Sequence, residues 1–467
     1  MKKTIIDDID FSRYDIKDNI KYEYQTEKGL SLQVILEISE QKNEPSWMRD
    51  FRIKAFEIYE KMPFPSWGVD LSKLDINSIV AYIRPDAKLQ NSWDDVPKDI
   101  RDTFERLGVP EAEKKYLAGV GAQYDSEVVY HNLKESLSKQ GVLFEDMDTA
   151  VKKYPDIVKE HFMKRNIPPT DHKFAALHGA IWSGGTFVYV PEGVKVDVPL
   201  QAYLRMNAPG TGQFEHTIII VEKGAELRFI EGCSAPQYSV SNLHAGCVEL
   251  FVNEGARLIY STIENWSKNT YNLNTKRAIV EKDGIIEWIS GSFGSHKTML
   301  YPASILKGEG AKAEYTGVTF AAKGQHLDTG SKMIHLAPNT SSKVLAKSIS
   351  KDGGISNYRG LLKIGANAEG AKATVQCEGL MMDNLSTSDT MPVIEISNDN
   401  VDIGHEAKVG RISDEQIFYL MTRGIDEDEA KAMIVRGFVE PVAKSLPLEY
   451  AVEMNRLIKM ELEGTIG

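Results

Sequence analysis

Three cysteines and a few acids, cations and imidazoles are the residues of this 467-residue chain best suited to thiol or metal chemistry, and their spacing relates them. Cys377 and Glu406 stand 29 residues apart, with His405 beside the acid. Cys233 and Glu264 stand 31 apart, and Lys276 lies 29 after Cys247. A thiolate, an imidazole and a carboxylate brought together bind iron or zinc. A thiol next to a cation has its thiolate favoured, which makes it a nucleophile or a soft ligand. Separations near 30 bring such groups together only if the chain returns to the same place every 30 residues.

The turn signals say that it does. VPEGVKV, VEKGAEL, VNEGARL and VEKDGII each read as an apolar run, a turn and a β-rich run, with Gly193, Gly224, Gly255 and Gly284 at spacings of 31, 31 and 29. Gly310, Asn339, Gly370 and Asn400 continue the series. A fixed period of this length means stacked supersecondary units, and Val/Ile-rich runs make those units strands such as 217–221, 227–230, 248–252 and 258–262. The fold predicted is mainly β, a right-handed parallel β-helix in which each coil buries its face on the next. By phase, Cys233 stacks on Glu264, Cys377 on Glu406, and Cys247 shares a column with His216 and Lys276. No CxxC occurs, so an iron–sulfur centre here is incompletely ligated by this chain. That suits a cluster meant to be handed on.

The positions flanking the ladder read differently. Residues 1–172 form a mixed, mainly helical region, with helices expected at 48–61, 99–107, 128–140 and 146–166 and a loop-and-strand segment over 174–191. The β-helix occupies 173–408. A helical region, 409–467, follows; Ser413-Asp-Glu-Gln416 is a capping box, and helices are expected at 414–422, 427–436 and 448–463, punctuated by Pro441 and Pro447 and stopped at Gly464. Its apolar stripes either cap the solenoid or hold a partner.

Charge and composition exclude several classes. Formal charge is −12 and the pI near 5.5, which argues against sequence-independent binding of nucleic acid or an anionic membrane. No stretch reads as a membrane span, and the N-terminal MKKTIIDDID is not a secretory signal. Three cysteines in so long a chain point to a reducing, cytoplasmic setting. P-loop, dinucleotide-fingerprint and nucleophile-elbow motifs are absent. Parallel β-helices also house carbohydrate-active enzymes, but no dense acidic array recurs at the coil period.

The stretches IEGCSAPQYS (230–239), NTKRAIVEKDG (274–284), KSISKDGGISNYRG (347–360), CEGLMMDNLSTSDTMPVIEI (377–396) and HEAKVGRISDEQIFYLMTRGI (405–425), with EPSWMRDFRIKAFEIY (44–59), resemble the SufB scaffold family of the SUF iron–sulfur cluster assembly system. The resemblance implies a non-enzymatic scaffold working with the ABC-type ATPase SufC, which hydrolyses ATP, and with the paralogue SufD or a second copy of itself. It further implies a cysteine desulfurase that delivers persulfide sulfur, apo iron–sulfur acceptor proteins, and a nascent 4Fe–4S or 2Fe–2S cluster, with a reduced flavin as an optional component of the complex. Residue by residue it makes Cys233 the sulfur acceptor and puts Glu264, Trp266 and Lys276 on the sulfur path. Cys377 and Glu406, with His405 beside them, fall on the cluster site. It assigns the C-terminal helices to the ATPase. Members often carry Gln at the position of Glu264, some carry an N-terminal cysteine motif that is missing here, and some have an acid at Gly404. Cys247 matches no functional residue of the family and reads as packing.

Overall fold

A computed structural model describes residues 15–18, 20–444, 446 and 448–463; Pro447 and Gly464 lie outside them. Its body is a parallel β-solenoid of about eight turns. One sheet stacks the strands Lys195–Arg205, Glu226–Ser234, Arg257–Trp266, Ile285–Gly294, Lys312–Ala321, Ser341–Ser350, Ala371–Met381 and Val401–Arg411 in parallel order. The opposing sheet begins as two separate ladders. One runs from Gly185–Val190 through His216–Val221, Cys247–Val252, Thr275–Val280 and Ala303–Leu306; the other runs through short strands such as Asn242–His244 and Thr270–Asn272. Both join on His326–His335, whose first half pairs Lys297–Leu300 and whose second half pairs Ala303–Leu306.

Strands form here because β-branched and aromatic residues alternate with polar ones, and the inward half of each strand is large and apolar. Leu227, Phe229, Leu258, Tyr260, Ile286, Trp288, Val344 and Val375 form one continuous core with Val248, Leu250, Ala278 and Val280 from across the coil. Turns recur where the glycine ladder put them: Gly193, Gly224, Gly255, Gly310 and Gly370 all have positive φ, as does Asn339. At the fourth rung the left-handed residue is Asp283 (φ 53°), one before Gly284. Asp tolerates this conformation better than most side chains.

The N-terminal region is helical in part. Ser46–Lys61 and Lys98–Leu107 are helices near the expected bounds. The segment expected as a helix over 128–140 is a strand, Glu127–Leu133, followed by a single turn, Glu135–Ser138. Its edge pairing with Gly119–Tyr124, which itself pairs Lys195–Arg205, overrides local propensity and extends the first sheet. The 146–166 helix is broken in two, Met147–Lys153 and Pro155–His161, because Pro155 cannot continue it. Within 174–191 the expected loop is instead the helix Lys173–Ile181, capped by His172 Nδ1 accepting from Ala175 N, before the strand Gly185–Val190.

At the C-terminus, Ser413 Oγ accepts from Gln416 N and Asp426 Oδ1 from Glu429 N, starting the helices Asp414–Met421 and Glu427–Ala443. The second helix runs through Pro441, beyond the expected stop at 436, and Leu448–Glu463 follows it. These two helices cover the side of the first sheet: Val435, Val439, Val442, Leu457 and Ile458 pack on Ile263, Ile289, Val318, Phe320 and Ile349. The last coil, Val401–Arg411, is left as a sheet edge.

Close stacking gives a stability test. A Cβ on Gly294 (φ 72°) would lie 1.6 Å from the Trp266 carbonyl oxygen, whereas one on Gly224 meets nothing within 4 Å. Gly224→Ala carries only the left-handed backbone strain, about 1–2 kcal/mol. Gly294→Ala forces two coils apart and costs more, about 4 kcal/mol or above. Urea midpoints of the two variants check the order, and equal loss contradicts it.

Candidate functional site

Because neighbouring strands are in register, each inward residue stacks on one residue per coil. Cys233 heads the column Cys233–Glu264–Ser292–Thr319–Ser348–Gly379. The adjacent inward column is Glu231–Thr262–Ser290–Gly317–Ala346–Cys377–Ala407, and the next is Phe229–Tyr260–Trp288–Tyr315–Val344–Val375–His405. The interior is therefore two-sided, with apolar residues filling one half of each coil and hydroxyls, acids and thiols lining the other. Cys233 and Cys377 are five strand spacings apart, about 24 Å at about 4.8 Å each.

Around Cys233 the polar half is a connected network of buried side chains. Lys276 Nζ lies 2.6 Å from Glu231 Oε1 and 3.6 Å from Glu264 Oε1, and donates to Thr262 Oγ1 at 3.1 Å. Tyr260 donates to Glu231 Oε2 at 2.5 Å, and Asn272 Nδ2 donates to Glu264 Oε2 at 2.8 Å. His244 bridges onward, 2.7 Å from Asn272 Oδ1 and 2.6 Å from Glu215 Oε1, with its ring tilted 4.4 Å from that of Trp266. All these side chains are buried. Burial opposes charge on Lys276, but Glu231 and Glu264 outweigh it and hold the ammonium in place. Burial likewise opposes charge on His244, and Glu215 with its hydrogen bond outweighs that too, so its pKa stands above the usual imidazole value.

The thiol behaves otherwise. Burial, then the charges of Glu231 and Glu264, push Cys233 well above the ordinary thiol value, and Lys276 only partly opposes them. The expectation of a thiolate favoured by a neighbouring cation is thus reversed, because Lys276 is already committed to two acids. The same commitment answers the charge of Glu264, which has Lys276 and Asn272 as partners.

Two stacking expectations shift by one residue. Lys276 is the Cα partner of Val248, and Cys247 pairs Thr275 and His216. A one-residue step reverses the face, so Lys276 points into the coil while Cys247 packs outside it, among Ile218, Ile220 and Phe162. Cys377 pairs Ala407, and Glu406 pairs Gln376. Glu406 is exposed on the outer face, held below the usual carboxylate range by its hydrogen bond and charge contact with Lys408 at 2.7 Å. His405, the partner of inward Val375, is on the face of Cys377, at the open end of the last coil. The ladder advances 30 residues at Cys377 and 28 at Cys247, where a step of 29 was expected, and a difference of one residue reverses the face.

Cys377 lines a small cavity with Tyr315, Thr319, Thr329, Ser348, Tyr358 and Thr390. Burial pushes its thiol up to about 12, and a hydrogen bond with Tyr358 eases it back in part. The partners Glu231, Tyr260, Asn272, His244, Glu215 and Tyr358 are not in the sequence-derived set. Glu231 was reachable, lying two residues before Cys233 on one strand face; Glu215, Asn272 and His244 come from other ladders, whose phase to Cys233 only the coil's closure sets.

A parallel β-helix that buries two thiols on one polar inner surface has the architecture of a scaffold for sulfur or metal cargo. The comparisons agree. Residues 204–438 match the family model described as SUF system FeS cluster assembly, SufBD core domain, and residues 36–202 match the SufBD protein N-terminal region. The chain is 55% identical to the iron–sulfur cluster assembly protein SufB of Bacillus subtilis, over 98% of this chain and 99% of that one. It is 52% identical to an iron–sulfur cluster assembly SufBD family protein of Staphylococcus epidermidis over the same shares. The chain belongs to the SufBD family of iron–sulfur cluster assembly proteins. Among the described residues no helix is long and apolar enough to cross a membrane.

Two measurements follow from the electrostatics. Because a raised pKa keeps the thiol protonated to higher pH, alkylation of native Cys377 should still be accelerating above pH 10, with a thiolate fraction near pH 8 of about 10⁻⁴; a plateau near pH 9 would show an ordinary, accessible thiol. Lys276→Met leaves Glu231 and Glu264 buried without their cation and should cost about 3–5 kcal/mol. Glu264→Gln keeps the Asn272 contact and should cost about 1 kcal/mol or less by urea unfolding.

Proposed function

We propose that this chain accepts persulfide sulfur at Cys233 from a cysteine desulfurase, conducts it along the inner polar columns and builds a transferable iron–sulfur cluster at Cys377. The observation that carries this reading is the pair of adjacent inward columns. They join the two thiols through Glu264, Ser292, Thr319 and Ser348 on one side and Thr262 and Ser290 on the other, with apolar residues walling the rest. Thr319 and Thr329 close a hydroxyl pair across the coil at 2.9 Å, and Ser331 meets Tyr358 at 3.2 Å beside Cys377. The third thiol, Cys247, packs outside the coil, so sulfur crosses about 24 Å as released sulfide. Cleaving the persulfide takes two electrons and two protons, R–S–S⁻ going to R–SH and HS⁻, and reduced flavin in the complex would supply the electrons.

Cys377 and His405 share the interior face near the open end, and we assign the cluster's iron to them; Glu406 reaches it only from outside the coil. The end coil exposes Val393, Ile394, Ile396 and Val409 along the edge strands. An unpaired apolar edge of this kind supports docking of SufD or a second copy, whose groups complete the ligand set. The helix Asp414–Met421 exposes Phe418 (68%), Tyr419 (57%) and Met421, with Met433 nearby. These rings support the C-terminal helical region as the seat of SufC, the ATPase that would supply energy to a scaffold with no catalysis of its own. Apo iron–sulfur proteins then take the cluster.

The complex co-expressed and purified anaerobically tests the reading by persulfide labelling and by iron and sulfide analysis. Thr319→Leu should leave persulfide on Cys233 but reduce cluster content several-fold, by filling the polar column midway. Full cluster content in that variant would reject the internal route. Cys377→Ala should lose the cluster with Cys233 still loaded. Phe418→Asp with Tyr419→Asp should abolish ATPase co-purification while circular dichroism keeps its β signal; retained binding would move the ATPase surface elsewhere.

A further inference from the structure

Outside the inner columns, one cluster of buried ligating groups is used by nothing described above. His178 on the helix Lys173–Ile181, His216 at the start of the strand His216–Val221, and Cys247 at the start of Cys247–Val252 bring one ligand atom each to within 4.8 Å of one another. All three side chains are sealed from solvent, at 0–1% exposure. Cys247 and His216 are Cα partners on neighbouring coils, and the helix lays His178 over them, its Nε2 2.9 Å from His216 Nδ1. The three lie on the outer side of the sheet, across it from Val248 and Ile219 of the central core.

The protons can be placed in part by chemistry. His178 Nδ1 is 2.9 Å from the Ala245 carbonyl oxygen, which only accepts, so Nδ1 carries the hydrogen and Nε2 presents a lone pair toward His216. His216 Nε2 lies 3.2 Å from Glu249 Oε2 but is not aligned for a hydrogen bond with it. Glu249 is itself anchored by Met163 N at 2.7 Å and Ile167 N at 2.9 Å. With its hydrogen on Nδ1, His216 simply donates to His178. With it on Nε2, facing Glu249, both inner nitrogens become lone pairs beside a thiol. An ion then takes the place of the shared hydrogen, and each imidazole keeps an outer partner, a carbonyl for one and a carboxylate for the other. Ligating histidines are typically supported in this way.

We propose that His178 Nε2, His216 Nδ1 and Cys247 Sγ form a binding site for a divalent ion of the zinc class. Two imidazoles and one thiolate are a donor set that selects such ions over magnesium or calcium. Bonds of about 2.1 Å to nitrogen and 2.3 Å to sulfur at a tetrahedral angle set the nitrogens about 3.4 Å apart, so the imidazole pair, now 2.9 Å apart, opens by about half an ångström to admit the ion. On binding, the Cys247 S–H bond gives its proton to solvent, and the thiolate offsets one of the ion's two charges. The ion would fasten the helix Lys173–Ile181 to two coils of the β-helix, on the opposite side of the sheet from Cys233. The assignment does not depend on the route proposed for sulfur.

The full-length chain, stripped with chelator and titrated anaerobically with Co²⁺, tests it. Wild type and the C233S/C377S variant should both bind about one Co²⁺ per chain with a thiolate-to-cobalt charge-transfer band. Zn²⁺ should displace the cobalt, and C247S should lose the band. No thiolate band in wild type, or the same band in folded C247S, overturns the site. A second measurement needs no substitution: in sub-denaturing urea, Zn²⁺ should slow alkylation of Cys247 at least tenfold while Cys233 and Cys377 are unaffected, read by mass spectrometry of labelled peptides. Labelling of Cys247 at the same rate with and without Zn²⁺ means that the imidazole pair is joined by its hydrogen bond alone, and rejects the proposal.

Discussion

Everything in this molecule that bears on chemistry depends on the parallel hydrogen-bond ladder being in register from one coil to the next. The pairing runs without a slip from Arg257–Trp266 to Val401–Arg411, five steps in succession. A ladder of this kind converts position along a strand into position along the solenoid axis, so residues 31 apart become neighbours at about 4.8 Å. It also enforces parity. One residue of slip would send Cys233, Glu264 and Lys276 out to solvent and pull charged outer residues into the core. Glycines at the tightest crossings, such as Gly294 against Trp266, are there because any side chain would break that ladder.

Within this frame the inner surface balances charge locally. Glu215, Glu231 and Glu264 would be intolerable alone in so dry a place; Glu231 and Glu264 hold Lys276 cationic despite burial, and Glu215 raises the pKa of His244. Cys233 receives little of that positive potential and rests as a neutral thiol. A thiol kept neutral and buried is protected from adventitious oxidation, which proceeds through the thiolate. Cys377 follows the same logic, with burial raising its pKa and a hydrogen bond with Tyr358 opposing in part.

The two ends of the solenoid differ in finish. At the N-terminal end, Gly119–Tyr124, Glu127–Leu133 and Leu143–Asp146 pair onto the sheets, and helices cover their outer faces. At the C-terminal end the chain covers the side of the barrel with Glu427–Ala443 and Leu448–Glu463 and leaves the last strands uncapped. Solenoid ends are normally closed by polar caps. Among the described residues this end has no such cap, and Ile394, Ile396 and Val409 stand exposed one coil from Cys377.

The turn spacing determined the β-helix, the stacking of Cys233 on Glu264 and the pairing of Cys247 with His216, because each is local chemistry repeated at a period, and the capping residues Ser413 and Asp426 determined two helix starts. It could not determine parity across a variable turn, so Glu406 and Lys276 came out one residue from their expected partners. It could not foresee that 127–133 would be a strand, since the reason is an edge offered by Gly119–Tyr124 and not its own composition. Nor could it hold the network of Glu215, His244 and Asn272, or the meeting of His178 with His216. Those groups lie on different ladders or on a covering helix, and only closure of the coil and the docking of that helix bring them within a hydrogen bond of each other.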